Sequence, residues 1–365
     1  MVQSGMLTVS DSPQYFDRPT TARLITSVNI CLVPAAIWGV YAYGIWALAI
    51  LATAIVSAQL SEYLLTRLRG RAMPRDNHAI LIGLLIGMTM PPTIPLWVPA
   101  AAAIFAILVI KWPLGGIGAS WMHPAAAGWA FALISWPQLM NRFAAPSFFN
   151  GPLFGAKSTP DVFTTIASWF SQNPPAGMGP ADILSNMGFY RSTYDSSISD
   201  FMNRFVLSPF GANLPGGYVD ALLGTGVGAI GEVSSILLLA GSVVLIARGL
   251  VSWHVPVSFF GIFAVLTYLF GALPFGGGFG SGDILFMSLH GSFLLVLFFV
   301  ATDISTGPLS YRGRLFYGLG LGLVTFLIQF AGRGGDAALV AVLCMNMVTG
   351  SIDHLCRTRR PEKRS

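Results

Sequence analysis

Leu289–Arg314 reads LHGSFLLVLFFVATDISTGPLSYRGR, and its character changes twice. An apolar run of membrane type halts at Thr302-Asp303, then gives way through Gly307-Pro308 to Arg312 and Arg314. A carboxylate at the end of a hydrocarbon-spanning segment is costly unless it faces protein, water or a ligand. Glycine and proline beyond it break the helix, which a membrane tolerates only where the freed backbone is buried in protein or lines a cavity. The stretch therefore reads as a broken span with an acid at the break, and the rest of the chain is best understood around it.

A second interruption sits in the first half. Ile80–Met90 is apolar, Pro91-Pro92-Thr93-Ile94-Pro95 interrupts it, and Leu96–Ile110 resumes the apolar run before Lys111. One interrupted span in each half predicts a fold of repeated halves with a site between them.

Composition agrees. Of 365 residues, 54% are hydrophobic and only 10% charged, with a mean hydropathy of +0.68. A soluble chain of this size would carry about 25% charged residues. The net charge of +5 is placed at the ends of apolar runs, which points to a lipid bilayer and away from nucleic acid. Cys31, Cys344 and Cys356 are scattered, without cluster or disulfide spacing. Residues 1–22 are polar and lack the pattern of a cleaved signal, so the first span is expected to act as the insertion signal.

A spanning helix needs about 20 largely apolar residues. Ten candidates lie near 23–41, 44–66, 78–92, 95–111, 123–139, 221–248, 252–273, 283–302, 315–332 and 335–354. Basic residues set orientation. Arg67, Arg69, Arg71 and Arg75 follow the second span, Arg312 and Arg314 the eighth, and Arg357, Arg359, Arg360, Lys363 and Arg364 form the tail. Placing these clusters in the cytoplasm puts both termini there. With five spans per half, the second half enters the membrane in the opposite sense. The expected fold is an all-α polytopic membrane protein of ten transmembrane helices in two inverted five-helix repeats. Gly115–Gly118 and Gly332–Gly335 echo one another before the last span of each half. Three regions result: 1–139 as the first repeat, 140–219 as an extracytoplasmic cap with eight prolines between 146 and 215, and 220–365 as the second repeat with its basic tail.

No soluble-enzyme constellation is present. His78, His123, His254, His290 and His354 lie on different spans without an i, i+4 pair, so no local metal site is expected, and there is no GxxxxGK[ST] phosphate loop. Packing or helix-end roles are the expectation for these histidines. Small residues gather instead at Gly224-Thr225-Gly226-Val227-Gly228-Ala229-Ile230-Gly231-Glu232-Val233-Ser234. Such glycines let a backbone approach a flat ligand or another helix closely, and Glu232 brings a carboxylate to membrane depth. Tight packing with Glu232 satisfied by neighbours is the competing reading.

Gly228–Ser234, followed by Ser252-Trp253-His254-Val255-Pro256 and then Phe298–Asp303 with Arg312-Gly313-Arg314, resembles a membrane component shared by two redox pumps. These are the D subunit of the Rnf complex and the B subunit of the sodium-pumping NADH:quinone oxidoreductase. Met90–Trp97, and Gly115–Gly118 through His123-Pro124-Ala125, are similar to the proline break and glycine turn of that family, with His123 in place of an Asn. Asn77 stands where some members place an acid.

The resemblance implies ten spans in two inverted halves similar to urea channels. It implies two flavins, an FMN esterified through its phosphate to a threonine on the extracytoplasmic side and a riboflavin within the membrane. It also implies partner subunits linking ferredoxin and NAD to sodium or proton movement in a bacterial inner membrane. The family's Ser-Gly-Ala-Thr-like tetrapeptide is absent; its place falls in Gly188–Ser199, where Thr193 is the first choice of attachment, Ser199 the second and Thr159 a poorer third. Asp303, Asp353 and Glu232 are the expected coupling carboxylates. Gly226, Gly228, Gly231, Thr302, Pro91, Pro92, Gly116 and Gly118 are the expected flavin contacts. The rivals are a urea-channel-like solute channel and a flavin-free scaffold component of the same complex.

Overall fold

The computed structural model describes residues 20–70, 76–113, 120–146, 148, 158–159, 165–166, 168, 180–187, 192–207, 216–232, 234–303, 305–308, 310–331 and 336–356. The glycine echoes at 115–118 and 332–335 lie outside these residues, and so Gly116 and Gly118 do too. The tail's basic cluster, Arg357 to Arg364, lies wholly outside them.

Two long helices open the chain, α1 (Thr21–Tyr43) and α2 (Ile45–Leu68). The Thr20 side chain caps α1 by accepting from the Arg23 amide, and Gly44, at φ 80°, turns the chain between the two. α3 (His78–Met88) runs to the proline break, and α4 (Trp97–Phe105) leaves it and continues as a π-helical turn, Ala106–Lys111. α5 (Pro124–Ser135) starts on His123 as its cap with Pro124 in the first turn, and α6 (Pro137–Met140) follows.

The middle region holds a two-residue antiparallel pair, β1 (Phe143–Ala144) with β2 (Ser158–Thr159), and the helices α7 (Pro180–Asn186) and α8 (Thr193–Phe201), the latter continued by a π-helical turn at Met202–Leu207. α9 (Tyr218–Leu223) straddles the expected boundary at residue 220. α10 (Ser235–Ala247) and α11 (His254–Phe270) come next. α12 (Ile284–Leu289) and α13 (Phe293–Leu295) lead into a π-helical turn at Val296–Val300. α14 (Tyr311–Phe330) and α15 (Ala337–Cys356) end the described chain.

The protein is a mostly helical, multi-pass membrane protein. Among the described residues, five helices are long and apolar enough to cross a bilayer unaided: α1, α2, α11 with its extension to Phe275, α14 and α15. Helix forms within every one of the ten expected segments, but α3, α4, α5 and α10 are shorter. The segment expected at 283–302 is not one helix. His290 is extended and Gly291 sits at φ 76°, which splits α12 from α13. Hydropathy stays high across that point, so an apolar count passes straight through it.

One core joins the elements. α14 lies on α11, and Phe259 and Phe263 of α11 close on Phe293 at ring-centroid separations of 5.2 and 4.3 Å. Tyr317 of α14 donates to Asn346 Oδ1 of α15 at 2.8 Å. Trp129 of α5 is wholly buried.

Candidate functional site

α1 provides a ruler. Near its start, Thr26 accepts from Asn77 Nδ2 at 3.1 Å, tying this end to the start of α3. Near its end, Trp38 donates to the Gly224 carbonyl at 3.2 Å, and the Tyr43 hydroxyl bonds both the Gly228 carbonyl at 2.9 Å and the Gly228 amide at 3.1 Å. At 1.5 Å per residue these ends are about 25 Å apart. Polar groups collect at both.

At the α3-start end lies the break that follows Val300. Asp303 is half-buried and hydrogen-bonds Ser305, and its Oδ2 faces His123 Nε2 at 3.6 Å. His123 is buried and caps α5, where its Nδ1 accepts from the Ala126 amide at 3.4 Å. That acceptor role places the neutral ring's proton on Nε2, toward Asp303. His78, also buried, is within electrostatic reach of Asp303, His123, Lys111 and Asp76. Its Nδ1 has no hydrogen-bond partner among the described residues.

A cavity of about 290 Å³ opens on this break, lined among others by Gly249, Val251, Thr302, Asp303, Tyr311 and Arg314. Thr302 donates to the Phe298 carbonyl at 2.6 Å, and Arg314 Nε donates to the Pro308 carbonyl at 3.1 Å, so two carbonyls around the break are met from within. Asp353 comes near from α15, with its Oδ1 beside Gly313 at the start of α14.

The opposite end holds the proline break and the glycine run. The amides of Ile230 and Gly231 donate to the carbonyls of Met90 and Met88 at 3.2 and 2.7 Å, so the glycine run pairs with the unwound end of α3. A Cβ on Gly231 would come within 2.5 Å of the Met88 Cβ, which is why a side chain is missing there. Pro91 and Pro92 are buried in this joint. Glu232 turns back on its own loop and accepts from the Ala229 amide at 3.2 Å, while Gly226 and Gly228 lie along the same loop. Hence the two breaks do not meet in one site. They are separated by the length of α3, 11 residues or about 16 Å.

The cap is clamped beside the glycine run by two buried carboxylates. Asp220 accepts from the Ser192 amide at 2.9 Å and from the hydroxyls of Ser192 and Thr225. Asp195 accepts from the amides of Gly217 and Val219 at 3.0 and 3.1 Å. Ser192 in turn caps α8 through the Asp195 amide. This fixes the first turn of α8 against α9 and leaves the Thr193 side chain exposed. Ser199, two turns on, is 1% exposed with an unpartnered hydroxyl among the described residues. Thr159 lies in β2, away from this turn in sequence.

Residues 8–361 match the NQR2, RnfD, RnfE family. The chain belongs to that family. It is 31% identical over 353 residues to the D subunit of the proton-translocating ferredoxin:NAD(+) oxidoreductase complex of Clostridium ljungdahlii, covering 96% of this chain and 95% of that one. It is 28% identical over 355 residues to the D subunit of the Na(+)-translocating ferredoxin:NAD(+) oxidoreductase complex of Acetobacterium woodii, with 97% and 94% covered. It is 30% identical over 348 residues to the D subunit of the ion-translocating oxidoreductase complex of Stutzerimonas stutzeri, with 94% and 92% covered.

Within this member of the NQR2, RnfD, RnfE family, three features escape a reading of the sequence. His123 is Asp303's partner across 180 positions, and only the fold pairs them. Glu62 of α2 and Lys111, at the end of the π-helical turn after α4, form a buried ion pair. The Asp220 and Asp195 clamp is the third. Glu62, a carboxylate within the apolar run of α2, carried a sequence signal, since such a charge in a membrane segment is rare and usually paired.

Proposed function

We propose that this chain is the flavin-carrying membrane component of an ion-translocating ferredoxin:NAD oxidoreductase of the Rnf type. The single observation that carries the reading is the pair of polar sites at opposite ends of α1, joined by one apolar core. A protein that passes electrons across a membrane needs a station near each face. Relatives that match over more than nine-tenths of their length are named as subunits of such complexes.

Thr193 suits the phosphate ester of an FMN. Its side chain is exposed on the first turn of the nine-residue α8, and the Asp220 clamp holds that turn still. Burial makes Ser199 the poorer choice. The cavity beside Asp303 suits the ring of a riboflavin. Its volume lies near the lower end of the roughly 300–1,000 Å³ range of small-molecule sites, and polar groups of Thr302, Asp303 and Arg314 reach it from one break. Bound flavin supplies the capacity to take up and release electrons. This chain's residues position the rings, exclude water through the apolar core and hold charge at Asp303.

An inverted repeat is supported by parallel packing. In the first half α4 lies on α2 and α5, and α3 on α5; in the second half α14 lies on α11 and α15, and the π-helical turn at Val296–Val300 on α15. Orientation follows from the arginines, with the Asp303 end in the cytoplasm of a bacterial inner membrane and the cap outside. Partner subunits deliver and remove the electrons, because this chain has neither cluster-ligating cysteines nor a phosphate loop.

The test is a redox difference spectrum of the protein taken from its native complex. Flavin bands that bleach when a chemical reductant is supplied are the expected result. A colourless protein within an active complex would leave a scaffold role, and solute flux without redox activity would leave a channel.

A further inference from the structure

α2 presents one long outward stripe. Leu48, Ala52, Val56, Leu60 and Leu64 repeat at i, i+4 spacing and all are exposed. From Ile45 to Leu64 this apolar face rises about 28 Å, close to the roughly 30 Å of a bilayer's hydrocarbon. Arg67 and Arg69 follow at once, at headgroup depth, and both are exposed. Each is held by an aromatic ring. Arg67 Nε donates to the Tyr63 hydroxyl at 3.0 Å with its guanidinium 5.3 Å from that ring's centroid, and the Arg69 guanidinium lies 5.2 Å from the Trp112 ring centroid. The buried ion pair of Glu62 with Lys111 fixes the chain next to Trp112 against α2, so the second ring is anchored too. Among the described residues neither arginine meets a carboxylate, since Glu62 is taken by Lys111 and Asp76 accepts from the His78 amide at 3.1 Å.

We propose that this end of α2 binds the phosphate of an anionic phospholipid, with Arg67 as its main ligand, Arg69 as added charge and the stripe below covered by the acyl chains. The bond to Tyr63 occupies Nε and leaves both Nη groups of Arg67 for a forked pair of hydrogen bonds to two phosphate oxygens. A guanidinium already held against a ring loses little freedom on binding. The stripe favours a lipid over an acidic protein face. It places the charge directly above an uninterrupted apolar surface of hydrocarbon length, with Tyr63, a residue type enriched at membrane interfaces, between the two. The inference does not depend on whether flavin is bound.

The experiment is native mass spectrometry of the full chain, titrated with phosphatidylglycerol or with phosphatidylcholine of the same acyl chains, and with glycerol phosphate as a chainless competitor. Expected is retention of phosphatidylglycerol in preference to phosphatidylcholine. Arg67→Gln should reduce that preference about fivefold, the equivalent of about 1 kcal/mol for one arginine at an anionic surface. Arg67→Lys, which keeps the charge without the fork, should reduce it in part. Arg312→Gln, at an exposed arginine with no ring partner among the described residues, should leave it unchanged. Equal retention of the two lipids would overturn the proposal, and so would a preference that survives Arg67→Gln. Displacement of the lipid by equimolar glycerol phosphate would make this a site for free phosphate instead. Loss of a neighbouring subunit from the Arg67→Gln complex, with the lipid preference intact, would assign the arginines to an acidic protein face.

Discussion

Lys111 and Glu62 are 2% and 3% exposed, and each is the other's partner in the protein interior. Removing one member of such a pair strands the other's charge, at a cost of about 3–5 kcal/mol, whereas replacing both by apolar groups is often neutral. Lys111→Met should therefore lower the unfolding temperature in detergent sharply, and Glu62→Leu with Lys111→Met should restore most of it. Equal loss in the single and double variants would show that the stranded charge is not what destabilises the fold. Residue identity made part of this legible. A lone acid at the end of an apolar run singles out Asp303, but nothing in the order of residues says that His123 will cap α5 with one nitrogen and face Asp303 with the other.

At the scale of elements, the joint between α3 and the glycine run rests on Gly231. A methyl group there must displace Met88, an overpacking cost of about 1–3 kcal/mol, so Gly231→Ala is expected to reduce thermal stability by that amount and Gly261→Ala, where nothing lies within 4 Å, to cause no such loss. The cap offers a separate check. Asp220→Ala removes the acceptor of Ser192 and Thr225 and frees the start of α8, and proteolysis between residues 187 and 216 should speed up with the membrane helices intact. Unchanged cleavage would mean that α8 is held by other contacts. The long helices α1, α2, α11, α14 and α15 could be read from hydropathy because each satisfies its own backbone in one continuous run. The split at His290-Gly291 could not, since apolar residues continue on both sides while the helix does not.

Across the whole molecule, the two breaks face opposite ends instead of a shared midplane site. An interruption read from sequence does not say which end of the folded span it occupies. α3 unwinds at its C-terminal end and the second-half span after Val300, and opposite chain direction sends those ends to opposite faces. In the proposed reading, electrons pass across this distance by way of carriers, one of them on the exposed Thr193 turn. Intact-mass measurement of the protein, isolated from its native complex, tests that most directly. The predicted result is a mass increased by one esterified FMN, mapped by peptide fragmentation to Thr193 and absent in Thr193→Ala. An unmodified mass from a complex that still passes electrons to NAD would contradict it.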